Sequence, residues 1–288
     1  MRGLSAGGRP VAAYVVRPEL ALDLSPRPYL HPVRTLAQVT VTDAVPRDHP
    51  WHLGVGVALQ HVQIGDGPTV NFWGGRTFVP DQGYTWLDDH GRIEHVGWTG
   101  ADPAAIEEEL RWVVPGGAEV LRERRTMAAS ADPVLPAWWL RLAFTLENVT
   151  QAPVSLGSPG SRGRAGGGYG GFFWRTAPAE QIRISTPEHT GEEAVHGRPA
   201  EWLIFGGTDP DTAQAWTLLL AGQDDATRGD PWFVRAKDYP GVGSALAYER
   251  PVVLDPGTSV HRSLLVGIVD GILTSEQASA ALVAARGE

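Results

Sequence analysis

The chain has 288 residues, with 24 Lys+Arg against 33 Asp+Glu and a net charge of −9. It contains no cysteine, which excludes disulfides, thiolate metal sites and cysteine nucleophiles. An acidic surface repels phosphate backbones, so nucleic acid is not an expected partner. The 35 Gly and 23 Pro make up a fifth of the chain and favour turns and short strands over long helices. The 11 Trp are enough either to fill a core or to stack on a flat ligand.

Along the chain, period-two alternation of apolar residues predicts strands at 11–16, 38–42, 54–62 and 92–98. Residues 106–125 read as a hairpin. Ile106, Leu110, Trp112 and Val114 lead in, Pro115-Gly116-Gly117 turns, and Glu119 to Met127 leads out with its charges on the wet face. Trp138 to Glu147 has apolar residues at every even position, the pattern of a half-buried strand. Further strands are expected at 201–206, 214–221, 243–249 and 259–268. One helix, about 275–286, starts at Thr274-Ser275-Glu276-Gln277, which has the form of a capping box. The expected fold is all-β: one large antiparallel β-sandwich domain over 1–288, with its core at about 10–272 and a short C-terminal helix. No apolar run approaches the roughly 18 residues of a membrane span. The N-terminus lacks an apolar signal core. A cytoplasmic protein without membrane attachment is expected.

Five motifs concentrate chemistry. Asp48-His49-Pro50-Trp51-His52 packs a carboxylate, two imidazoles and an indole into five residues, and its proline excludes a helix interior. In an irregular turn His49 and His52 can act as acid and base near neutral pH, or as two ligands of a divalent metal. Asn71-Phe72-Trp73-Gly74-Gly75-Arg76 offers Asn71 and Arg76 to hydroxyls or carboxylates, with Trp73 as a stacking face. In Trp86-Leu87-Asp88-Asp89-His90-Gly91, the last three residues read as a hairpin turn with Gly91 left-handed, and Asp89 and His90 are additional acid–base candidates. The long glycine-rich run Gly157 to Arg175 contains a literal G-x-G-x-x-G. A β-like Phe172-Phe173-Trp174 follows it where a dinucleotide site needs a helix. It is therefore read as a loop setting Arg164, Tyr169 and Trp174 against a ligand. Asp230-Pro231-Trp232-Phe233-Val234-Arg235 supplies Trp232 and Arg235 as an aromatic-plus-donor pair.

Taken together and in this order, these motifs resemble a family of soluble bacterial proteins labelled "methane oxygenase PmoA-like", over roughly residues 10–272. The family is similar in expected build to the galactose-mutarotase-like supersandwich of aldose mutarotases. Its members are encoded beside sugar dehydrogenases. The resemblance implies a small-molecule carbohydrate as ligand.

The expected function is proton transfer on a sugar or oxidised sugar: epimerisation, ring opening or elimination. The catalytic candidates are His49, His52, Asp89, His90 and Arg164, the last as an oxyanion stabiliser. Asn71, Trp73, Arg76, Tyr169, Trp174, Trp232 and Arg235 would bind substrate. No cofactor is required by this scheme, and a divalent metal on His49 and His52 is the variant. Two other readings stand beside it: a non-catalytic carbohydrate-binding or sensing protein, and a metal-dependent lyase or oxygenase.

Overall fold

Alternation in the strand Ala137–Asn148 sends Trp138, Leu140, Leu142, Phe144 and Leu146 to one face, where all five are buried in one core. In the computed structural model, which describes residues 2–100, 102 and 104–287, this strand lies inside an eight-stranded antiparallel sheet. The order is Glu180–Ser185, Leu203–Thr208, Ala215–Gly222, Ser259–Asp270, Ala137–Asn148, Glu119–Ala131, Ala105–Val113 and Arg92–Trp98. A seven-stranded antiparallel sheet faces it, in the order Arg2–Ala6, Arg9–Val15, Tyr29–Val33, Val55–Ala58, Gly171–Arg175, Gly241–Ala245 and Trp232–Arg235. Val11, Tyr14, Val57, Trp174 and Val242 of the second sheet share the core with Trp112, Leu142 and Val266 of the first. A four-stranded sheet (Val252–Leu254, Val154–Gly157, His61–Ile64, Thr69–Val70) and the hairpin Thr77–Val79/Gly83–Thr85 complete an all-β antiparallel sandwich.

The middle of the eight-stranded sheet is buried on both faces. Its outer face carries Trp139, Leu219 and Leu265. The helix Ser275–Arg286 covers them with Ala278, Ala281 and Leu282. Thr274 accepts from the backbone of Gln277, and the Gln277 side chain accepts from that of Thr274, so the capping box forms as the sequence predicts. Three expected strands differ. Residues 54–62 split between sheets at Leu59-Gln60, 38–42 contribute only an isolated bridge, Arg34 to Thr40, and 243–249 is strand only to Ala245, where a turn begins. No helix among the described residues is long and apolar enough to cross a membrane.

The hairpin Ala105–Val113/Glu119–Ala131 corrects the expectation of a uniformly wet charged face. Arg122 and Arg124 are exposed, but Glu123 and Arg125 point inward and Glu108 joins them from the neighbouring strand. Arg125 Nε donates to Glu123 at 2.6 Å, and its Nη1 donates to Pro28 O at 3.1 Å and Tyr14 Oη at 3.2 Å. Tyr14 in turn donates to Glu108, whose other oxygen accepts from His95 Nδ1 at 2.7 Å. This network ties the two sheets together through the core.

His61 opens its strand with both ring nitrogens buried and without a hydrogen-bond partner. Burial, reinforced by the positive charge of Arg162, lowers it to about 4 from the ordinary 6.5. The unfolded chain therefore binds a proton at His61 before the folded one does. The stability it contributes is complete above about pH 6.5 and is lost as pH falls toward 4. The loss expected from this residue is on the order of 3 kcal/mol. Urea unfolding of the wild type and His61→Gln at neutral and acid pH checks it. The variant should show the smaller acid loss, and equal losses would refute the assignment.

Candidate functional site

The same alternation that fills the core builds a second, apolar surface on the outer face of the seven-stranded sheet. In Gly171–Arg175, Phe172 and Trp174 enter the core while Phe173 and Arg175 take the other face; in Trp232–Arg235, Trp232 and Val234 enter and Phe233 and Arg235 do not. Trp73, Tyr169, Phe173 and Phe233 cluster there, with Trp51 and Tyr239 packed on them. All of these but Phe173, which packs beneath, floor and wall a cavity of about 530 Å³. Of the residues singled out from the sequence, His49, His52, Trp73, Arg76, Arg164, Tyr169 and Arg235 line it. Trp51, Gln60, Tyr84, Trp86, Phe233 and Tyr239 also line it.

Asp48, His49 and His52 form the polar end. Asp48 Oδ2 accepts from His49 Nδ1 at 2.8 Å, which fixes the proton on Nδ1 and leaves Nε2 as the acceptor. Arg175 Nη2 donates to both Asp48 oxygens, at 3.1 and 3.2 Å. Burial pushes Asp48 up, but the His49 hydrogen bond and the Arg175 charge outweigh it and hold the carboxyl below its usual range. Arg175 Nη1 also donates to His52 Nδ1 at 3.3 Å, which places the His52 proton on Nε2. Burial, followed by the charges of His49, Arg175 and Arg27, holds His52 well below the ordinary imidazole value. His52 is thus a neutral donor, and His49 is the ring hydrogen-bonded to a carboxylate.

The two imidazoles stack at 4.7 Å with a 17° interplanar angle, and Tyr239 packs on both at 4.5 and 4.8 Å. Lone pairs of stacked rings lie in near-parallel planes and do not converge on one ion about 2 Å from each. Both Nδ1 atoms are also engaged, and no group of three or more His, Asp or Glu suited to a metal occurs among the described residues. The pair as placed does not fit a divalent metal.

Asn71 is buried and shapes the turn that presents Trp73. Its Oδ1 accepts from Trp73 and Gly74 N–H at 2.8 and 2.9 Å, and its Nδ2 donates to Thr77 Oγ1 at 2.9 Å. Gly75, at φ 68°, lies against Trp51, and a Cβ there would come within 2.4 Å of the indole. Only glycine allows that contact. Asp89 and His90 support this turn from behind: Thr77 donates to Asp89 at 2.8 Å and His90 Nε2 donates to Gly75 O at 2.7 Å. Neither lines the cavity. The hairpin turn expected at Asp89–Gly91 is a parallel bridge of His90 to Asn71, and Gly91 does not have a positive φ; it leaves room for the Phe72 ring. The assignments of Asn71 to substrate and of Asp89 and His90 to acid–base work are therefore corrected. So are those of Trp174 and Trp232: both are core residues whose Nε1 atoms donate to Val41 O and Ala200 O.

The glycine-rich run is an ordered loop. Gly160 N–H donates to Gly167 O, and Gly166 O accepts from Arg235 Nη2 at 2.8 Å and from His196 Nε2 at 3.0 Å. Tyr169 Oη accepts from Gln60 Nε2 at 2.8 Å and lies 3.0 Å from Tyr84 Oη, while Arg164 sits 5.1 Å over the Tyr84 ring.

Sequence reasoning missed Arg27. Buried without a carboxylate, it donates to Trp73 O at 2.9 Å, Ser25 O at 3.0 Å and Trp51 O at 2.8 Å. It thereby joins the backbones of the two segments that carry the aromatic wall. Burial lowers it to about 9, so it stays charged at neutral pH.

No protein of curated function matches the sequence. Among solved structures, the Escherichia coli K12 protein named "Putative aldose 1-epimerase" is similar at 12% identity over 75% of this chain and 84% of its own, with a TM-score of 0.39. A polysaccharide lyase is similar at 12% over 98% of this chain and 35% of its own, with a TM-score of 0.40. A GH36 α-galactosidase from Geobacillus stearothermophilus is similar at 11% over 73% and 30%, with a TM-score of 0.37. The chain spans about a third of the length of the latter two. These values carry no residue role or activity across. A family model matches residues 3–283, and the chain belongs to the family of unknown function DUF6807.

Proposed function

We propose that this protein is a carbohydrate-active enzyme that moves a proton on a sugar or oxidised sugar, by epimerisation, ring opening or elimination. One observation carries the reading: the Asp48–His49 pair stands at the end of a cavity walled by Trp51, Trp73 and Tyr239. Aromatic faces suit the C–H surface of a sugar ring. Tyr84, Arg76 and Arg164 supply donors for hydroxyls. His49 acts as the base through Nε2, and Asp48 stabilises the imidazolium it becomes. His52 Nε2–H donates to an oxygen on the substrate. The motif resemblance to the PmoA-like proteins, and through them to aldose mutarotases, supports the same substrate class. Its cytoplasmic placement belongs to this proposal too.

Proton NMR of a sugar and sugar-acid panel incubated with the protein tests the reading. Faster interconversion of anomers, a changed epimer ratio, or a new unsaturated product is expected. Tight binding with every substrate signal unchanged would remove the catalytic role and leave a carbohydrate-binding protein.

A further inference from the structure

We infer that the substrate is a carboxylated sugar whose carboxylate is held by Arg76 and Arg164. This rests on the carbohydrate reading of the cavity and narrows its substrate class. The cavity lining holds three guanidiniums, Arg76, Arg164 and Arg235, against two carboxylates, Asp48 and Asp238, in a chain whose net charge is −9. Asp48 is engaged by Arg175 and His49. Arg235 is engaged too: its fork donates to Val234 O and Gly166 O, and Glu192 lies 3.9 Å away. Arg76 and Arg164 differ. Neither guanidinium has an ion-pair or hydrogen-bond partner among the described residues, and each lies over an aromatic ring, Trp86 at 5.9 Å and Tyr84 at 5.1 Å. Stacking orients a guanidinium plane while leaving its edge N–H groups available, the geometry that binds a carboxylate in a fork.

The charge count favours a carboxylate over a phosphate. The lining carries one positive charge in excess, which matches one carboxylate, whereas a phosphate monoester brings about −1.5 to −2. The arrangement also suits the chemistry. When His49 Nε2 removes the C–H proton next to a carboxylate, the bonding pair passes onto the carboxylate oxygens, where the guanidiniums stabilise it. A proton from solvent delivered to the opposite face gives the epimer, while His49 releases its own proton to solvent; alternatively the pair returns to form a C=C bond and expels the oxygen substituent of the adjacent carbon, which leaves protonated by the His49 imidazolium and gives the unsaturated product.

Fluorescence of the cavity tryptophans, titrated with ligands, tests this. The panel is galacturonate and glucuronate, as monosaccharides and short oligosaccharides, their neutral counterparts, glucose 6-phosphate, and benzoate as a carboxylate without a sugar. Uronates should bind roughly tenfold or more tightly than the neutral sugars, and added salt should narrow the gap. The gap should close toward one in Arg76→Gln/Arg164→Gln and reopen in large part in Arg76→Lys/Arg164→Lys. Arg76 is exposed and Arg164 half-buried on a loop, so the fold should tolerate these changes. Equal affinity for uronates and neutral sugars overturns the inference and leaves the carbohydrate reading standing. So does a preference for the sugar phosphate. Benzoate binding with no uptake of any sugar, or no uptake of any ligand, overturns both.

Discussion

Replacing His49 by alanine is expected to lower kcat by roughly 10²–10⁴-fold, the usual contribution of a positioned base. Stability should change by less than about 1 kcal/mol, because the ring is partly exposed and its hydrogen bond to Asp48 lies at the surface. The loss should fall on kcat more than on KM, since Trp51, Trp73 and Tyr239 still form the walls. Asp48→Asn should lower kcat as well, because an amide can accept the Nδ1 proton but cannot stabilise an imidazolium. Steady-state rates on the substrate found by NMR check this. Full activity in His49→Ala would place the base elsewhere in the cavity.

Replacing Arg125 by methionine should destabilise the fold by about 3–5 kcal/mol. The guanidinium is wholly buried between the sheets, and its removal leaves Glu123 with only the Trp112 N–H, at 2.8 Å, and takes a donor from Tyr14 and from Pro28 O. The uncompensated carboxylate is the larger part of the cost, since burial alone already pushes Glu123 up. Glu123→Gln/Arg125→Met should therefore be more stable than Arg125→Met alone. Urea unfolding with unchanged slope checks the order. A single variant within about 1 kcal/mol of wild type would show that the network does not join the sheets energetically.

The strands were legible because apolar alternation is a local property: Arg92–Trp98 and Ala137–Asn148 lie where the pattern puts them. The site was legible by segment but only partly by residue. The Asp-His-Pro-Trp-His cluster, the Asn71–Arg76 turn and the glycine-rich run do supply the cavity, because functional residue types gather where backbone is irregular. The errors at Trp174 and Trp232 are errors of parity. Each motif holds adjacent aromatics, and composition cannot say which member faces the core; the facing sheet takes Trp174 and Trp232 and leaves Phe173 and Phe233 to the aromatic cluster on the other face, where Phe233 lines the cavity. Glu123 and Arg125 fail for the same reason, since alternation read without the partner sheet assigns charges to water. Asn71, Asp89 and His90 look like ligand-binding groups because a tight turn in a buried place needs the same polar atoms. Arg27 had no local signal. Its role depends on carbonyls at Trp51 and Trp73, 24 and 46 residues away.

The most direct test of the account is solvent-deuterium uptake. The wild type and His49→Ala would each be incubated in D₂O with the ligand that binds the cavity best, and the C–H signals followed by proton NMR. The account predicts that wild type either exchanges or removes one carbon-bound proton of the sugar, as epimerisation and elimination require, or speeds the interconversion of its anomers, as ring opening requires, and that the variant does so at least about a hundredfold more slowly. A ligand that occupies the cavity, keeps every C–H proton and interconverts its anomers no faster than in buffer, or that reacts equally fast with both proteins, would contradict it.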